Sequence, residues 1–262
     1  MSKPSPPYVP WGLSAMARFV WTVVSAFAVE SLVFGFSTLP ATLFFQAHLA
    51  LEVSPNWLRI LILGMALIPT YLIFAVALMA LSAASSRILG WRPPHRGEMP
   101  IAHLEWSLCN WARYSISIHI VRVFSGTFLR TTPLWTWYMR MNGAKLGHRV
   151  WINSLDVTDH CLLDFGDDVV VGAGVHLSGH TVERGVVRTA PVRLGNGVTV
   201  GVNANVEIGV EAGAGCQIGA LSVVPKFYKL EGGSTYVGIP VHKLERAPYE
   251  NQQALLDGDL PE

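Results

Sequence analysis

Residues 194–223, LGNGVTVGVNANVEIGVEAGAGCQIGALSV, decide the fold. An aliphatic or small apolar residue returns at every sixth position, at Leu194, Val200, Val206, Ala212 and Ile218. The same step of six occurs upstream, in units that begin at Leu146, Ile152, Phe165, Val171 and Leu177. Such a hexapeptide repeat indicates a parallel β-helix, a three-sided prism in which three units make one coil. An antiparallel sandwich would instead alternate with a period of two.

The repeat is interrupted within residues 175–187, VHLSGHTVERGVV. After the unit LSGHTV the next clear unit begins at Leu194, so Glu183–Arg193 is extra chain. We expect this segment to leave the prism as a loop that is long enough to reach a neighbouring prism. Loops that interrupt a rigid scaffold commonly carry function. Of the two histidines here, His180 adjoins the loop, whereas His176 fits an ordinary strand or turn position.

The N-terminal third predicts a membrane domain. The chain is 51% hydrophobic and only 14% charged, whereas soluble domains carry about 25% charged residues. Residues 60–86 contain no charge, and about 20 apolar residues suffice to cross a bilayer. Residues 19–47 are almost as apolar, although they include Glu30 and Pro40, and we expect this segment to tilt or to break near Gly35–Pro40. Glu30 is expected to meet a structural partner across a helix interface.

The distribution of arginines predicts the orientation in the membrane. Arg87, Arg92 and Arg96 follow the second span, while the connection between the spans, QAHLALEVSPN, contains no Lys or Arg. By the positive-inside rule both ends of the chain and the β-helix lie in the cytoplasm, and the connection lies outside. The prediction is therefore a multi-pass protein of the cell membrane.

Residues 101–142 mix aromatic side chains with arginines and contain no long apolar run. These residue types settle at the headgroup level, so we expect interfacial helices with lipid as their partner. No nucleic-acid-binding motif accompanies the basic residues. The aromatic residues concerned are Trp106, Trp111, Tyr114, Trp135, Trp137 and Tyr138. The predicted organisation is a membrane domain at 1–100, interfacial helices at 101–142, a β-helix domain at 143–242 and a tail at 243–262.

Three scattered cysteines, Cys109, Cys161 and Cys216, form no CxxC pair. They favour neither a disulfide framework nor a thiolate metal site. We therefore expect a reducing compartment and no metal.

Four stretches resemble the hexapeptide-repeat acyltransferase superfamily, and most closely the membrane-attached C-terminal region of ε-polylysine-synthetase-type non-ribosomal peptide synthetases. They are WYMRMNGAKLGHRVWINS, DFGDDVVVGAGVHLSGHTVERGVV, VRLGNGVTVGVNANVEIG and GALSVVPKFYKLEGGSTYVGIPVHKL. The resemblance implies a left-handed β-helix, a parallel homotrimer and transfer of an acyl group from acetyl-CoA or another acyl thioester. The acceptor would be a small or lipid-linked hydroxyl or amine. The 262 residues contain neither an adenylation nor a carrier domain, so this chain would work alone or with a carrier protein or synthetase in trans.

The resemblance also implies site residues. His180 matches the catalytic base, whose removal in His180→Ala should abolish transfer and leave stability nearly unchanged. Glu183 is the carboxylate nearest in sequence that would orient it, with Asp156 or Asp164 from a stacked coil as alternatives. The segment GIPVHKL departs from the superfamily's usual ending at Ile239, Val241 and His242, which weakens the expectation of CoA contacts there. The remaining implied contacts with the thioester arm or its phosphate are Gly219, Ala220, Ser222 and Lys226.

Two other functions stay open at this point. A prism of this kind also serves as a non-catalytic trimerising scaffold of a peptide-synthetase system. It also serves as a zinc hydratase of the γ-carbonic-anhydrase type, for which His160, His176 and His180 would be the ligands. The spacing of these histidines fits that family poorly.

Overall fold

Two long helices open the chain in the computed structural model, which describes residues 11–245. Helix α1 spans Leu13–Leu49 and α2 spans Asn56–Ile88. Pro40 lies inside α1 without ending it, so of the two expected alternatives, a tilt or a break near Gly35–Pro40, the break does not occur. Both helices are long and apolar enough to cross a bilayer, and only 22% and 11% of their most apolar windows are buried. Their outer faces therefore present apolar side chains to the surroundings.

Helix α3 ties the long helices to the rest of the protein. Ser117 of α3 donates a hydrogen bond to Glu30 of α1, and Arg113 donates to Ser25 of α1 at 2.9 Å. Glu30 is buried, so the predicted partner across a helix interface is confirmed. After β1 (Gly97–Pro100), the helical elements of this region are α3 (Trp106–Val121), a π-helical turn (Arg122–Gly126), α4 (Thr127–Leu129) and α5 (Pro133–Met141).

Several aromatic side chains of this region belong to the protein core. Tyr114, Trp135 and Tyr138 are each at most 1% exposed, so for them the predicted position at the lipid headgroups is wrong. They fill the space between the helices and the first strands of the prism. Trp106 and Trp137 remain exposed.

The C-terminal half consists of three parallel sheets that follow one another around a prism. Each strand pairs with the strand one coil later, as Val200 does with Ile218 and Val206 with Val224. In these later coils the partners are three hexapeptide units apart, as the repeat predicts, whereas Val171 and its partner Val200 are 29 residues apart because the extra chain lies between them. The strands of the prism are β2 (Lys145–Leu146), β3 (Trp151–Ile152), β4 (Leu163–Phe165), β5 (Val170–Val171), β6 (His176–Leu177), β9 (Val192–Leu194), β10 (Thr199–Val200), β11 (Asn205–Val206), β12 (Glu211–Ala212), β13 (Gln217–Ile218), β14 (Val223–Val224), β15 (Lys229–Leu230) and β16 (Thr235–Val237), followed by the antiparallel β17 (His242–Lys243).

The residue that opens each unit points into the prism. Val171, Val200, Val206 and Ile218 are at most 2% exposed and stack on their equivalents in the next coil. Glycine is common at the corners. Gly209 has a φ of +71°, and a Cβ there would lie 2.2 Å from the ring of Phe227, so a larger residue at this corner would have to displace that ring.

The interruption after β6 is a β-hairpin rather than a free loop. Strand β7 (His180–Glu183) pairs antiparallel with β8 (Val186–Thr189), and β8 pairs with β1. The prism resumes at Val192, two residues earlier than the repeat indicates. The hairpin pairs with β1 of its own chain, and its reach toward a neighbouring prism stays a prediction. Residues 97–100, predicted within the membrane domain, belong to this hairpin sheet.

Candidate active site

The most notable polar contact of the described chain joins His180 to Asp159. His180 opens the hairpin on β7, and its Nδ1 lies 2.5 Å from Oδ2 of Asp159. The Asp159 side chain is 2% exposed and that of His180 is 27% exposed. Because Nδ1 donates its proton to the carboxylate, Nε2 is the nitrogen that can accept a proton. An imidazole held in one tautomer by a carboxylate is a suitable general base.

Three further side chains form hydrogen bonds around this pair. The indole Nε1 of Trp111 donates to Oδ1 of Asp159 at 3.1 Å, and the Thr158 hydroxyl donates to Oδ2 at 3.1 Å. The Ser178 hydroxyl lies 3.1 Å from Nδ1 of His180 and donates to the His180 carbonyl at 2.9 Å. Both carboxylate oxygens therefore have partners, as a buried charge requires.

Asp159 was missed by the sequence reasoning. It lies in the left-handed region with a φ of +50° and precedes a short 3-10 turn, His160–Leu162. A signal for it was present in the sequence, because the step of six also fails between the unit at Ile152 and the unit at Phe165. The two members of the pair thus lie at the two places where the repeat is interrupted.

Burial and charge oppose each other in setting the pKa values of the pair. Burial acts to lower the pKa of His180, but the hydrogen bond and the charge of Asp159 raise it above its ordinary value of 6.5. Burial acts to raise the pKa of Asp159, but the hydrogen bonds from His180, Trp111 and Thr158 hold it below its ordinary value. Asp159 therefore stays ionised at neutral pH, and His180 changes its charge above pH 6.5.

The pair faces a cavity of about 240 Å³ between the prism and α3. Trp111, Ser115 and Ile118 of α3 line one wall, and Arg122 lies at the start of the π-helical turn. Nη1 of Arg122 donates a hydrogen bond to Oδ1 of Asp156 at 3.2 Å, and Nη2 of Arg122 lies 3.0 Å from Nδ1 of His119. Single π-helical turns are frequent at functional sites. The cavity thus combines a base, a cation and an aromatic wall.

Glu183 does not take the role that the sequence suggested. Its carboxylate accepts a hydrogen bond from Lys226 and lies 4.0 Å from Arg188, while Asp159 occupies Nδ1 of His180. The expectation that Glu183 orients the base is therefore corrected to Asp159. Lys226, expected at a phosphate, is engaged with Glu183 and so lies against the hairpin that begins at His180.

The other residues expected at the thioester lie on the later coils of the prism. The Gly219 N–H donates to the Tyr236 carbonyl at 2.8 Å. The Ser222 side chain is fully buried, and its hydroxyl accepts the Gly238 N–H at 3.1 Å, so that hydroxyl serves the prism instead of a ligand. Ala220 is exposed and remains a candidate contact.

The three histidines of the zinc alternative lie in different environments and do not form one site. His160 is fully buried, its Nε2 lies 3.2 Å from the Val157 carbonyl, and burial lowers its pKa to about 4. His176 is exposed on β6. Within residues 11–245, no group of three or more His, Cys, Asp or Glu side chains is placed to hold a metal ion. His160 is a neutral core residue.

Comparison with known proteins gives short or distant matches. No protein-family model matches the chain. Delta-poly-L-ornithine synthetase of Acinetobacter baumannii (strain AB307-0294) is 24% identical over 120 residues, which are 44% of this chain and 9% of the synthetase. This chain therefore matches about a tenth of the length of that curated relative.

Several solved structures similar to the chain are acetyltransferases. The hexapeptide-repeat acetyltransferase VCA0836 from Vibrio cholerae is 21% identical, with a TM-score of 0.37 over 40% of this chain and 62% of that chain. The acetyltransferase domain of PglB from Neisseria gonorrhoeae FA1090, in complex with acetyl coenzyme A, is 23% identical, with a TM-score of 0.30 over 39% of this chain and 46% of that chain. Both neighbours are described as acetyltransferases, the class that the sequence resemblance named.

Proposed function

We propose that this chain is a membrane-tethered acyltransferase whose prism is a left-handed β-helix and whose general base is His180. The observation that carries the proposal is the 2.5 Å contact between His180 Nδ1 and the buried carboxylate of Asp159, at the edge of a cavity large enough for a small polar group. The acyl donor is acetyl-CoA or another acyl thioester, and the acceptor is a hydroxyl or an amine.

The reaction follows from this geometry. Nε2 of His180 removes the proton from the acceptor's hydroxyl or amine as that atom attacks the thioester carbonyl carbon. Asp159, still ionised, stabilises the imidazolium that forms. Collapse of the tetrahedral intermediate breaks the carbon–sulfur bond, and the imidazolium returns its proton to the departing thiolate. The products are the acylated acceptor and the free thiol.

The tether is part of the proposal because α3 joins the site to the long helices. Trp111 of α3 contacts Asp159, and Arg113 and Ser117 of the same helix hold α1. We propose that α1 and α2 cross the cell membrane and that the site lies at its cytoplasmic surface. An acceptor that resides in the membrane would meet the site there.

The test is thiol release by the purified protein in lipid nanodiscs. Acetyl-CoA would be supplied with an extract of membrane lipids, and release of CoA thiol would be measured beside transfer of a labelled acetyl group. We expect label in an extractable product and an equal amount of free thiol. Neither label nor thiol release, with acetyl-CoA or with longer acyl-CoA esters, would favour the scaffold function.

A further inference from the structure

A second cavity, wholly apolar, lies beside the active-site cavity. It has a volume of about 400 Å³ and is formed by α1, α3, the chain after β1 and the hairpin. Ligand sites typically measure about 300–1,000 Å³. Its lining includes Phe19, Val23, Ile101, Leu104, Leu108 and Ala112. Thr22, the one hydroxyl residue of the lining, donates to the carbonyl of Arg18 and so offers no free donor to the cavity.

The two cavities run side by side along α3 and share Trp111. Ser115 and His119 face the active-site cavity together with Trp111, while Leu108 and Ala112 face the apolar one. Residues four apart lie on one stripe of a helix, and these two stripes are adjacent. The Trp111 ring lies 4.9 Å from the His180 ring, so one indole separates the apolar cavity from the base.

The position of the apolar cavity indicates what would fill it. Phe19 and Val23 line it near the start of α1, where the long apolar helix begins. Protein interiors rarely leave large voids, and apolar cavities stay dry and accept apolar molecules. An alkyl chain meets these conditions, because it has no polar atoms to satisfy and can enter from the side of the apolar helices.

We propose that the apolar cavity holds the alkyl tail of the acyl acceptor, whose hydroxyl or amine then lies in the neighbouring cavity beside His180. The acceptor is thus a single-chain or double-chain amphiphile of the membrane, rather than a free sugar or amino acid. This inference rests on the proposed function for the role of the acceptor. The alkyl site itself rests on the cavity alone.

The first experiment measures binding without any reaction. A twelve-carbon primary amine with a diazirine at the tail end would be photolysed with the protein in nanodiscs, and the labelled residues would be found by mass spectrometry. We expect labels on Ile101, Leu104 or Leu108. Ala112→Phe should fill the cavity and reduce this labelling at least fivefold, whereas Ile120→Phe, on the same helix but lining neither cavity, should not.

The second experiment tests whether the alkyl tail belongs to the acyl acceptor. With acetyl-CoA as donor, primary amines of two to twelve carbons should show a KM that falls by about fourfold per added methylene until the cavity is full. Ala112→Phe should shorten the alkyl length at which this trend ends, whereas Ile120→Phe, which lines neither cavity, should leave both the trend and the rate with the two-carbon amine unchanged.

Several results would overturn the proposal. If the labels were spread over α1 and α2 and were insensitive to Ala112→Phe, the cavity would not be a specific binding site for the alkyl tail. A chain-length dependence on the acyl donor alone would assign the tail to the donor. Stronger labelling after deletion of residues 2–10 would show that the chain's own N-terminal segment is the occupant. Labelling that depends on Ala112 without any acyl transfer would leave the alkyl site standing and overturn the proposed function.

Discussion

The burial of Asp159 determines how much stability a substitution of His180 would remove. His180→Ala would leave a carboxylate that is 2% exposed without its closest donor, and such a loss costs about 1–3 kcal/mol. This cost differs from the sequence-based expectation that His180→Ala leaves stability nearly unchanged. A substitution that keeps a donor near Asp159 therefore separates catalysis from stability better than alanine does.

His180→Gln is that substitution. Its amide can donate to Asp159 but cannot accept a proton, so we expect acyl transfer to fall by about 10²–10⁴-fold with a small change in melting temperature. Initial rates and thermal unfolding of the same preparation measure both. Glu183→Gln is the matched control, because Glu183 pairs with Lys226 instead of His180, and its rate should stay within about twofold of the wild type. An unchanged rate in His180→Gln would contradict the role of the base.

The pH dependence of acyl transfer should report on the pair. His180 acts only when neutral, so kcat/KM should rise with pH through an apparent pKa above 6.5, because Asp159 raises the pKa of His180. In Asp159→Asn the charge is gone and burial, which lowers the pKa, remains. We expect the acid limb of that variant to move to lower pH, while its maximum rate falls at least about tenfold. An acid limb at the same pH in both proteins would show that another group titrates.

Helix α3 is the element on which the site depends. Its Trp111 donates a hydrogen bond to Asp159, and its Arg113 donates one to Ser25 of α1. Trp111→Phe keeps the aromatic wall but removes the donor to a buried carboxylate, which we expect to lower the free energy of unfolding by about 1.5–3 kcal/mol. Denaturant unfolding measures this. Trp106→Phe, at an exposed position of the same helix, should change it by less than about 0.5 kcal/mol.

The repeat could be predicted from the sequence because each apolar opener faces the interior of a coil with a fixed period. Val200, Val206 and Ile218 all lie where the step of six placed them. The partner of His180 could not be assigned in this way, because proximity in sequence favours Glu183. The actual partner, Asp159, is brought to His180 by the stacking of two interrupted coils, a contact between residues 21 positions apart. The burial of Tyr114 and Trp135 likewise depends on packing between helices and prism, which composition does not reveal.

The orientation of the whole molecule in the membrane can be tested by labelling cysteines from outside the cell. Because basic residues follow α2 and none lies in the connection before it, we expect an impermeant thiol reagent to label Ser54→Cys and to miss Ala214→Cys. Both positions are exposed in the structure. Cys109 and Cys216 are buried and Cys161 is half-buried, so the native background should be low. Labelling of Ala214→Cys alone would reverse the orientation.

The assembly of the prism is the last property that its size and surface predict. A prism of about four coils has a small core for its surface, and small cores are marginal alone. Several large apolar side chains on its outside, Val202, Leu221 and Phe227, are 48%, 65% and 57% exposed. We expect them to be covered in a homotrimer of parallel prisms, whose mass in nanodiscs would be three times that of the chain. Leu221→Lys should shift that mass toward the monomer, whereas Glu52→Lys, in the connection between α1 and α2, should not. A wild-type protein that stays monomeric at micromolar concentration would contradict the trimer and require the exposed side chains to meet something else.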